Sequence, residues 1–277
     1  MARTTRLRLD ELVVSRGLAS SRSAARGLIM AGMVRVAGEI SDKAGTQVSA
    51  DAEIALKERP RYVSRAGEKL AHALQIFGID VSGTLALDVG ASTGGFADCL
   101  LQSGAEKVIA LDVGRGQLHS RLRVDPRVYP LDRLNARSVA REQLPYQPDL
   151  LTMDVSFISV SKVLPAVVAC MAPAFRGIVL VKPQFEAGPG LVGKGGVIRD
   201  PGVHRQVLVE GGRFVIEELD AHLLGICRSG LPGADGNKEF FFHIARGGEK
   251  GAGLDTLEPL VHEVLAPAEC AKGAPET

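Results

Sequence analysis

Tryptophan is absent from the 277-residue sequence, and aromatic residues make up only 4% of it. The four cysteines are widely spaced, and no two of them form a Cys-x-x-Cys motif. The six histidines follow no metal-ligand spacing either. We therefore expect an aliphatic core, a reducing compartment, no disulfide framework and no metal site.

Long apolar runs are also lacking. The longest apolar stretch, residues 163–175, is shorter than the ~18 residues that span a membrane, and Pro165 and Pro173 interrupt it. The N-terminus is basic but has no apolar segment of the kind that signal peptides carry. These features predict a soluble cytoplasmic protein.

Positive and negative charges nearly balance, giving a net charge of +1, but they are unevenly distributed along the chain. Residues 1–70 hold 13 Lys or Arg and 8 Asp or Glu, whereas the rest of the chain has more acidic than basic residues. This asymmetry predicts a basic N-terminal module attached to a near-neutral domain.

The stretch from Thr84 to Phe96 carries the most specific pattern. An apolar strand ends in Asp88, a loop with three glycines follows, and a helix begins near Phe96. Glycines let the backbone approach a ligand, and amide groups at a helix N-terminus face it. The spacing differs from the Gly-x-Gly-x-x-Gly of dinucleotide-binding proteins. We predict a nucleotide-type cofactor site here, with a tight strand-to-helix turn as the alternative.

Strands and helices alternate from residue 84 onward. The predicted strands are mostly aliphatic, which is typical of a parallel sheet that is buried on both faces. The pattern predicts an α/β, Rossmann-like, doubly wound domain of seven strands. The strands are expected near residues 84–88, 107–112, 127–131, 149–154, 177–182, 223–228 and 239–245. A helix is expected over 254–265, and the last ten residues are expected to be disordered.

Polar side chains stand at the ends of these strands. Asp112 ends the second strand, where a carboxylate can bind ribose hydroxyls, and Asn135 follows the third, where adenine contacts are usual. Asp154 and Lys182 end the fourth and fifth strands, which predicts that they lie side by side. A lysine that closes an apolar strand is costly unless it reaches a cleft or a carboxylate. The pair therefore belongs either to a site or to a structural ion pair.

The N-terminal module is expected to contain two helices, near residues 10–17 and 20–32, and strands near 33–36 and 53–56. Ser20 or Ser21 is the expected N-cap of the second helix, and Gly32 its end. The order of these features resembles the alpha-L RNA-binding fold of ribosomal protein S-four, pseudouridine synthases and tyrosyl-tRNA synthetases. In that fold two short helices present arginines to RNA phosphates. Without aromatic residues to stack on bases, recognition by RNA shape and backbone is expected.

Seven arginines are expected to bind RNA, with a solvated basic face as the alternative. They are Arg6, Arg8, Arg16, Arg22, Arg26, Arg35 and, beyond the module, Arg65.

Residues 5–247 resemble the TlyA family of bacterial rRNA 2′-O-methyltransferases, which are also described as haemolysin A. The matching segments are VSRAGEKL, DVGASTGGF, DVGRGQL, DVSFIS, VKPQFE and GNKEFFF. The resemblance implies an alpha-L domain over 1–58, a linker over 59–63, an FtsJ-like methyltransferase domain over 64–247, and a C-terminal helix and tail over 248–277. The linker reads Pro-Arg-Tyr-Val, where the family usually has Arg-Ala-Trp-Val.

The resemblance also implies S-adenosylmethionine (SAM) as the cofactor and a Lys-Asp-Lys-Glu tetrad as the catalytic site. Lys69, Asp154, Lys182 and Glu239 match this tetrad, with Glu186 as a rival for the last position. Lys182 is expected to contact a ribose 2′-hydroxyl and to act as base, while the carboxylates orient the lysines. The residues expected around SAM are Asp88, Gly90, Ala91, Ser92, Gly94, Gly95, Phe96, Asp112, Val113, Asn135 and Asp154.

The implied function is 2′-O-methylation of cytidine in small-subunit and also large-subunit rRNA, by a monomer whose partner is the ribosomal subunit. Two other functions stay open at this point. One is a non-catalytic RNA-binding ribosome-assembly factor, against which the complete tetrad argues. The other is a membrane-active haemolysin, against which the lack of a signal peptide and a membrane segment argues.

Overall fold

In a computed structural model, the chain divides into two structural units, and the boundary lies between Pro60 and Arg61. The structure describes residues 5–57, 60–233, 236–248 and 251–266. The tail that the sequence predicts to be disordered and the first residue of the predicted linker lie outside these described residues.

The first unit consists of two short helices and five small strands. Its elements are β1 (Arg6–Arg8), α1 (Leu9–Ser15), α2 (Arg22–Met30), β2 (Val34–Val36), β3 (Glu39–Ile40), β4 (Gln47–Ser49) and β5 (Ile54–Leu56). Strand β1 pairs with β4, and β2 lies between β3 and β5. The helices bury Leu9, Leu12 and Ile29 in a small core of their own. Because this core excludes little apolar surface from water, cap and ion-pair interactions matter for the unit's stability.

Helix α2 begins where a serine can cap it. The Ser21 hydroxyl accepts a hydrogen bond from the Ala24 backbone N–H at 3.2 Å, an interaction that typically contributes about 1 kcal/mol. The helix ends at Met30, two residues before Gly32. Gly32 has a φ of 67°, a left-handed conformation that glycine adopts without strain. Ser21 is therefore the cap, and the helix ends slightly earlier than the sequence predicts.

A seven-stranded sheet is the centre of the second unit. Its strands are β6 (Leu85–Val89), β7 (Lys107–Asp112), β8 (Val128–Asp132), β9 (Leu150–Met153), β10 (Phe175–Val181), β11 (His222–Arg228) and β12 (Phe240–Arg246). They are arranged in the order β11-β12-β10-β9-β6-β7-β8. Strand β12 runs antiparallel to both of its neighbours, whereas the other paired strands are parallel. The α/β sheet that the sequence predicts is confirmed, and each strand end falls within two residues of its predicted position.

Helices cover both faces of this sheet. They are α3 (Arg65–Phe77), α4 (Gly95–Gln102), α5 (Ser120–Arg123), α6 (Leu164–Cys170), α7 (Pro183–Glu186), α8 (Pro201–Glu217) and α9 (Leu254–Leu265). Successive side chains of a strand point to opposite faces, so Val179 and Ile178 of β10 belong to separate apolar clusters. One cluster includes α3 and α4, and the other includes α6, α8 and α9. Each fully buried aliphatic side chain contributes roughly 1.5–3 kcal/mol to this packing.

Every helix in the part of the chain that the structure describes is too short or too polar to span a lipid bilayer.

Candidate active site

The site lies at the carboxyl edge of the sheet, where β6 and β9 are parallel neighbours. From β6 the chain continues to β7 and β8 on one side of this point, whereas β9 is followed by β10 on the other side. Connections that leave in opposite directions open a crevice between the loops, and ligands of doubly wound sheets bind in such crevices.

The glycine loop after β6 forms one wall of the crevice. Gly90 has a φ of 81°, and a Cβ atom at this position would collide with the backbone carbonyl oxygen of Asp154. Gly94, with a φ of 93°, is the N-cap of α4 and lies against Leu118 and Leu122. Glycine is therefore required at these two positions for both conformation and space.

Asp88 connects the start of α4, which follows this loop, to strand β9 of the sheet. It is completely buried, and its carboxylate accepts hydrogen bonds from the Thr152 hydroxyl at 2.9 Å and from the Ala97 backbone N–H in α4 at 3.1 Å. Burial raises the pKa of Asp88 to about 7, and the charges of Asp154 and Asp112 act in the same direction. Both carboxylate oxygens are thus used within the protein, where they hold the start of α4 beside β9.

Asp112 shapes the next part of the crevice. Its carboxylate accepts hydrogen bonds from the backbone N–H groups of Ser92 at 2.8 Å and Gly114 at 2.7 Å. Ser92 itself has a left-handed φ of 48°, uncommon for a residue with a side chain. One carboxylate thereby fixes the glycine loop and the loop after β7 relative to each other.

Two adjoining cavities lie between these loops, with volumes of about 600 Å³ and about 120 Å³. Gly90, Ser92 and Asp154 line both of them. Of the residues that the sequence predicts around the cofactor, all except Gly94 line one cavity or the other. The larger cavity is also lined by Asp112, Val113 and Asn135, and the smaller one by Asp88, Ala91, Gly95 and Phe96.

Sequence reasoning missed several lining residues. Ser64 lies against Gly95, and Gln117 lies beside Ser92, whose hydroxyl is 3.2 Å from the Gln117 side-chain oxygen. Phe157 is 89% exposed, has a left-handed φ of 64°, and lies 4.9 Å from Phe185 between ring centroids. The motifs DVGRGQL and DVSFIS include Gln117 and Phe157, but nothing in their spacing marks these two side chains.

The first lysine–carboxylate pair of the predicted tetrad joins adjacent strand ends. The Nζ atom of Lys182 lies 2.5 Å from Oδ1 of Asp154, and both side chains are largely shielded from solvent. Lys182 also donates a hydrogen bond to the Ser156 hydroxyl at 2.9 Å. The prediction that Asp154 and Lys182 lie side by side is confirmed.

The second pair is more deeply buried. The Nζ atom of Lys69, on α3, lies 2.6 Å from Oε2 of Glu239, whose side chain is only 3% exposed. In the antiparallel ladder of β10 and β12, Val181 pairs with Phe240. Lys182 and Glu239 are the next residues outward on the two strands, so the register brings both pairs to the same edge of the sheet. A buried charge is tolerated only when it is paired, as here.

Glu186, the rival acidic residue, has other partners. It accepts hydrogen bonds from the Ser159 hydroxyl at 2.6 Å and from the Val160 backbone N–H at 2.9 Å. Burial raises the pKa of Glu186. The carboxylate of Glu186 therefore holds the loop after β9, while Glu239 contacts Lys69.

The arginines that the sequence predicts to bind RNA have different surroundings. Arg16 donates to the Ala50 carbonyl at 3.0 Å and Arg35 to the Gly38 carbonyl at 2.8 Å. Arg65, in the second unit, donates to the Pro232 carbonyl at 3.3 Å. Arg6 is exposed on β1, and Arg8, Arg22 and Arg26 all contact Asp10.

In the described part of the chain, no group of three His, Cys, Asp or Glu side chains could hold a metal ion. Cys99, Cys170 and Cys227 are buried and free.

Comparisons with known proteins agree with this architecture. Residues 62–246 match the FtsJ-like methyltransferase family and residues 7–54 match the S4 domain. The 16S/23S rRNA (cytidine-2′-O)-methyltransferase TlyA of Mycobacterium tuberculosis is 44% identical over 265 residues, which cover 94% of this chain and 98% of that protein. Hemolysin A of Brachyspira hyodysenteriae is 42% identical over 242 residues, which cover 86% of this chain and 99% of that protein.

A solved structure described as that of a hemolysin candidate from Streptococcus thermophilus is 35% identical and superposes with a TM-score of 0.70. The superposition covers 94% of this chain and 96% of that chain. The family resemblance, the enzyme class and the fold that the sequence predicts are thereby confirmed: the chain is a methyltransferase that belongs to the TlyA family, in which an FtsJ-like domain follows an S4 domain.

Proposed function

We propose that this protein transfers a methyl group from SAM to the 2′-hydroxyl of a ribose in ribosomal RNA. The observation that carries the proposal is that two lysine–carboxylate pairs, at 2.5 Å and 2.6 Å, lie at the ends of adjacent strands, and that Asp154 of the first pair also lines the crevice. Cytidine is the proposed target nucleoside, in small-subunit and also large-subunit rRNA, because the Mycobacterium tuberculosis relative is a 16S/23S rRNA (cytidine-2′-O)-methyltransferase.

The crevice fits SAM on its own geometry. Its cavity of about 600 Å³ is of the size that holds small-molecule ligands. Carboxylates stand at the ends of β7 and β9, where they could accept hydrogen bonds from ribose hydroxyls and face a cationic ligand. When bound, SAM would supply a methyl group activated by its positively charged sulfur. Gly90, Ser92, Asp112, Asn135 and Asp154 are the residues proposed to hold it.

Lys182 is the residue that we assign to the 2′-hydroxyl. A ribose hydroxyl is a poor nucleophile, so a base that accepts its proton as the new bond forms can accelerate the reaction about 10²–10⁴-fold. Asp154 would stabilise the ammonium group that forms, and Ser156 would fix the position of Nζ. Lys69, held by Glu239, would complete the set that aligns the hydroxyl with the methyl group; such alignment can supply a large part of the rate acceleration.

The first unit would supply the affinity for RNA. Its match to the S4 domain and its exposed arginines favour contacts to phosphates, which position an enzyme on RNA without reading its sequence. A ribosomal substrate would place the protein in the cytoplasm, and a monomer is sufficient for this account.

The direct test measures transfer of labelled methyl groups from SAM to purified small and large ribosomal subunits. Replacing Lys182 by Met should reduce turnover by about 10²-fold or more. Lys107→Met is the matched control, because Lys107 begins β7 at the opposite edge of the sheet and its side chain is 40% exposed. Undiminished turnover in Lys182→Met would contradict the assignment of the base.

If neither subunit is labelled although the protein binds SAM, the assembly-factor alternative is favoured. The name hemolysin attached to the Brachyspira hyodysenteriae relative can be tested separately by dye leakage from liposomes. We expect no leakage from the purified protein.

A further inference from the structure

One buried carboxylate gathers three arginines in the first unit. Asp10, on α1, has no exposed surface. It accepts hydrogen bonds from Nε and Nη2 of Arg8 at 3.0 and 3.2 Å, from Nη2 of Arg22 at 3.3 Å and from Nε of Arg26 at 3.1 Å. Side chains from β1, from the first residue of α2 and from its next turn thus meet on one acceptor.

The charge of Asp10 is fixed by these partners. The Arg8 guanidinium is the largest influence that holds the pKa of this carboxyl well below its usual range, even though burial opposes it. A buried carboxylate that lacked such partners would be strongly destabilising. The three arginines and Asp10 together carry a net charge of +2, and the negative member lies beneath the positive ones.

The arginines themselves remain accessible. Their side chains are 37%, 50% and 54% exposed for Arg8, Arg22 and Arg26. Arg22 and Arg26 are four residues apart on α2 and therefore lie on the same face of the helix. Nη1 of Arg8 and both terminal nitrogens of Arg26 donate to no acceptor in the part of the chain that the structure describes. Arg8 and Arg26 thus keep donors that can form hydrogen bonds with phosphate oxygens, whereas Nη1 of Arg22 lies 3.1 Å from Oε1 of Glu11 and Nη2 contacts Asp10.

We propose that Asp10 is a positioning residue for RNA binding, which fixes Arg8, Arg22 and Arg26 as one surface prepared for the phosphates of a folded RNA. An arginine side chain loses considerable rotamer freedom when it is ordered. Since Asp10 orders the three side chains in the free protein, less entropy is lost when RNA binds. The inference rests on the proposed function, because it requires that the unit binds RNA.

A purely electrostatic view of the same residues makes the opposite prediction. If the arginines acted only through their charge, Asp10 would weaken RNA binding, and neutralising it would strengthen binding. If Asp10 acts by positioning, neutralising it weakens binding although the protein becomes more positive. The sign of the change therefore separates the two accounts.

The experiment compares Asp10→Asn with Glu11→Gln in the full chain. Each variant removes one negative charge, at neighbouring residues, and replaces one carboxylate oxygen by an amide nitrogen. Glu11 has a side chain 40% exposed and contacts only Arg22 of the three arginines. Affinity is measured for a fluorescein-labelled RNA hairpin at several salt concentrations. We expect binding about tenfold weaker for Asp10→Asn, with a shallower salt dependence because fewer phosphates are contacted. Binding by Glu11→Gln should be unchanged or slightly tighter.

Tighter binding by Asp10→Asn, similar to that of Glu11→Gln, would overturn the proposal. A wild-type protein that fails to bind RNA would instead overturn the proposed function. SAM affinity, measured in the same samples, should be equal in all variants.

A second variant covers the case in which Asp10→Asn unfolds the first unit. Amide exchange at Leu7 and Val48, which are paired between β1 and β4, reports whether the unit is intact. Arg8→Lys keeps the charges of residue 8 and of Asp10, but a lysine cannot form the bidentate hydrogen bonds that Arg8 makes with the Asp10 carboxylate. We expect about threefold to tenfold weaker RNA binding by Arg8→Lys. Unchanged binding would contradict positioning, since charge alone would then be sufficient.

Discussion

At the scale of single residues, two glutamates near the same strand end have different partners. Glu239 contacts Lys69 at 2.6 Å, whereas Glu186 accepts hydrogen bonds from Ser159 and Val160. Their positions in the sequence left both eligible for the tetrad, because each follows or precedes a strand at the crevice. The family resemblance favours Glu239, and the packing of α3, which brings Lys69 to Glu239, distinguishes the two in the structure.

This difference predicts that two similar substitutions have effects of different size. Glu239→Gln removes the charge that balances Lys69 in a buried pair, and we expect a loss of methyl-transfer turnover of about 10-fold or more. Glu186→Gln keeps the size and the acceptor oxygen, so turnover should stay within about twofold. Steady-state kinetics with ribosomal subunits would measure both. Equal losses in the two variants would contradict the assignment of Glu239.

The raised pKa of Asp88 makes the stability of the folded protein depend on pH, and its direction gives the sign of that dependence. Burial raises its pKa to about 7 in the folded state from an ordinary 3.8. The folded state therefore holds a proton that the unfolded state loses, so this group's contribution to stability falls as pH rises from about 4 to about 7 and is then level. Asp88→Asn keeps the shape and can still accept from Ala97 and donate to Thr152.

We expect the free energy of unfolding of Asp88→Asn, relative to wild type, to increase between pH 5 and pH 7 and to change little above that. Urea unfolding at a series of pH values would measure the difference, in which the other titrating groups cancel. A difference that is constant over this range, or that decreases with pH, would show that the buried carboxyl does not titrate there.

At the scale of elements, the glycine loop can be tested against a glycine of similar conformation. Gly90 and Gly83 both have left-handed φ values, 81° and 71°. A Cβ at Gly90 would collide with the carbonyl of Asp154, whereas no atom lies within 4 Å of a Cβ at Gly83. A side chain would therefore be conformationally strained at either glycine, but only at Gly90 would it also lack space.

Gly83→Ala should cost about 1 kcal/mol in stability and leave SAM affinity unchanged. Gly90→Ala should cost more and weaken SAM binding at least tenfold, because the loop must move away from β9. Isothermal titration with SAM and thermal unfolding would give both quantities. If the two variants bind SAM equally well, the loop does not form the cofactor wall.

Much of the fold could be predicted from sequence because the element signals are local. Seven aliphatic runs, each bounded by turn residues, gave the strands within two residues, and Ser21 marked the start of α2. The pair of Asp154 and Lys182 was also predictable, since adjacent parallel strands end together. The contacts of Lys69 and Asp10 were not, because they depend on how helices pack. The exposed, left-handed Phe157 has no local signal at all.

At the scale of the whole molecule, a near-neutral chain combines a basic first unit with a cofactor crevice in the second. The two binding reactions should therefore respond differently to salt. Affinity for ribosomal subunits should fall steeply, by about 10³-fold between 50 and 200 mM salt if roughly six phosphates are contacted. SAM affinity should change by less than about threefold, because short-range contacts within a crevice are screened much less. Binding titrations over this salt range would measure both affinities. An affinity for ribosomal subunits that does not change with salt would contradict the prediction.

The identity of the methylated nucleoside tests the central claim most directly. Ribosomal subunits from cells that lack this protein would be incubated with the purified protein and SAM, and their rRNA digested to nucleosides for mass spectrometry. The account predicts new 2′-O-methylcytidine, absent when Lys182→Met is used. Methylation on a base atom, or none on rRNA from an active SAM-binding preparation, would contradict it.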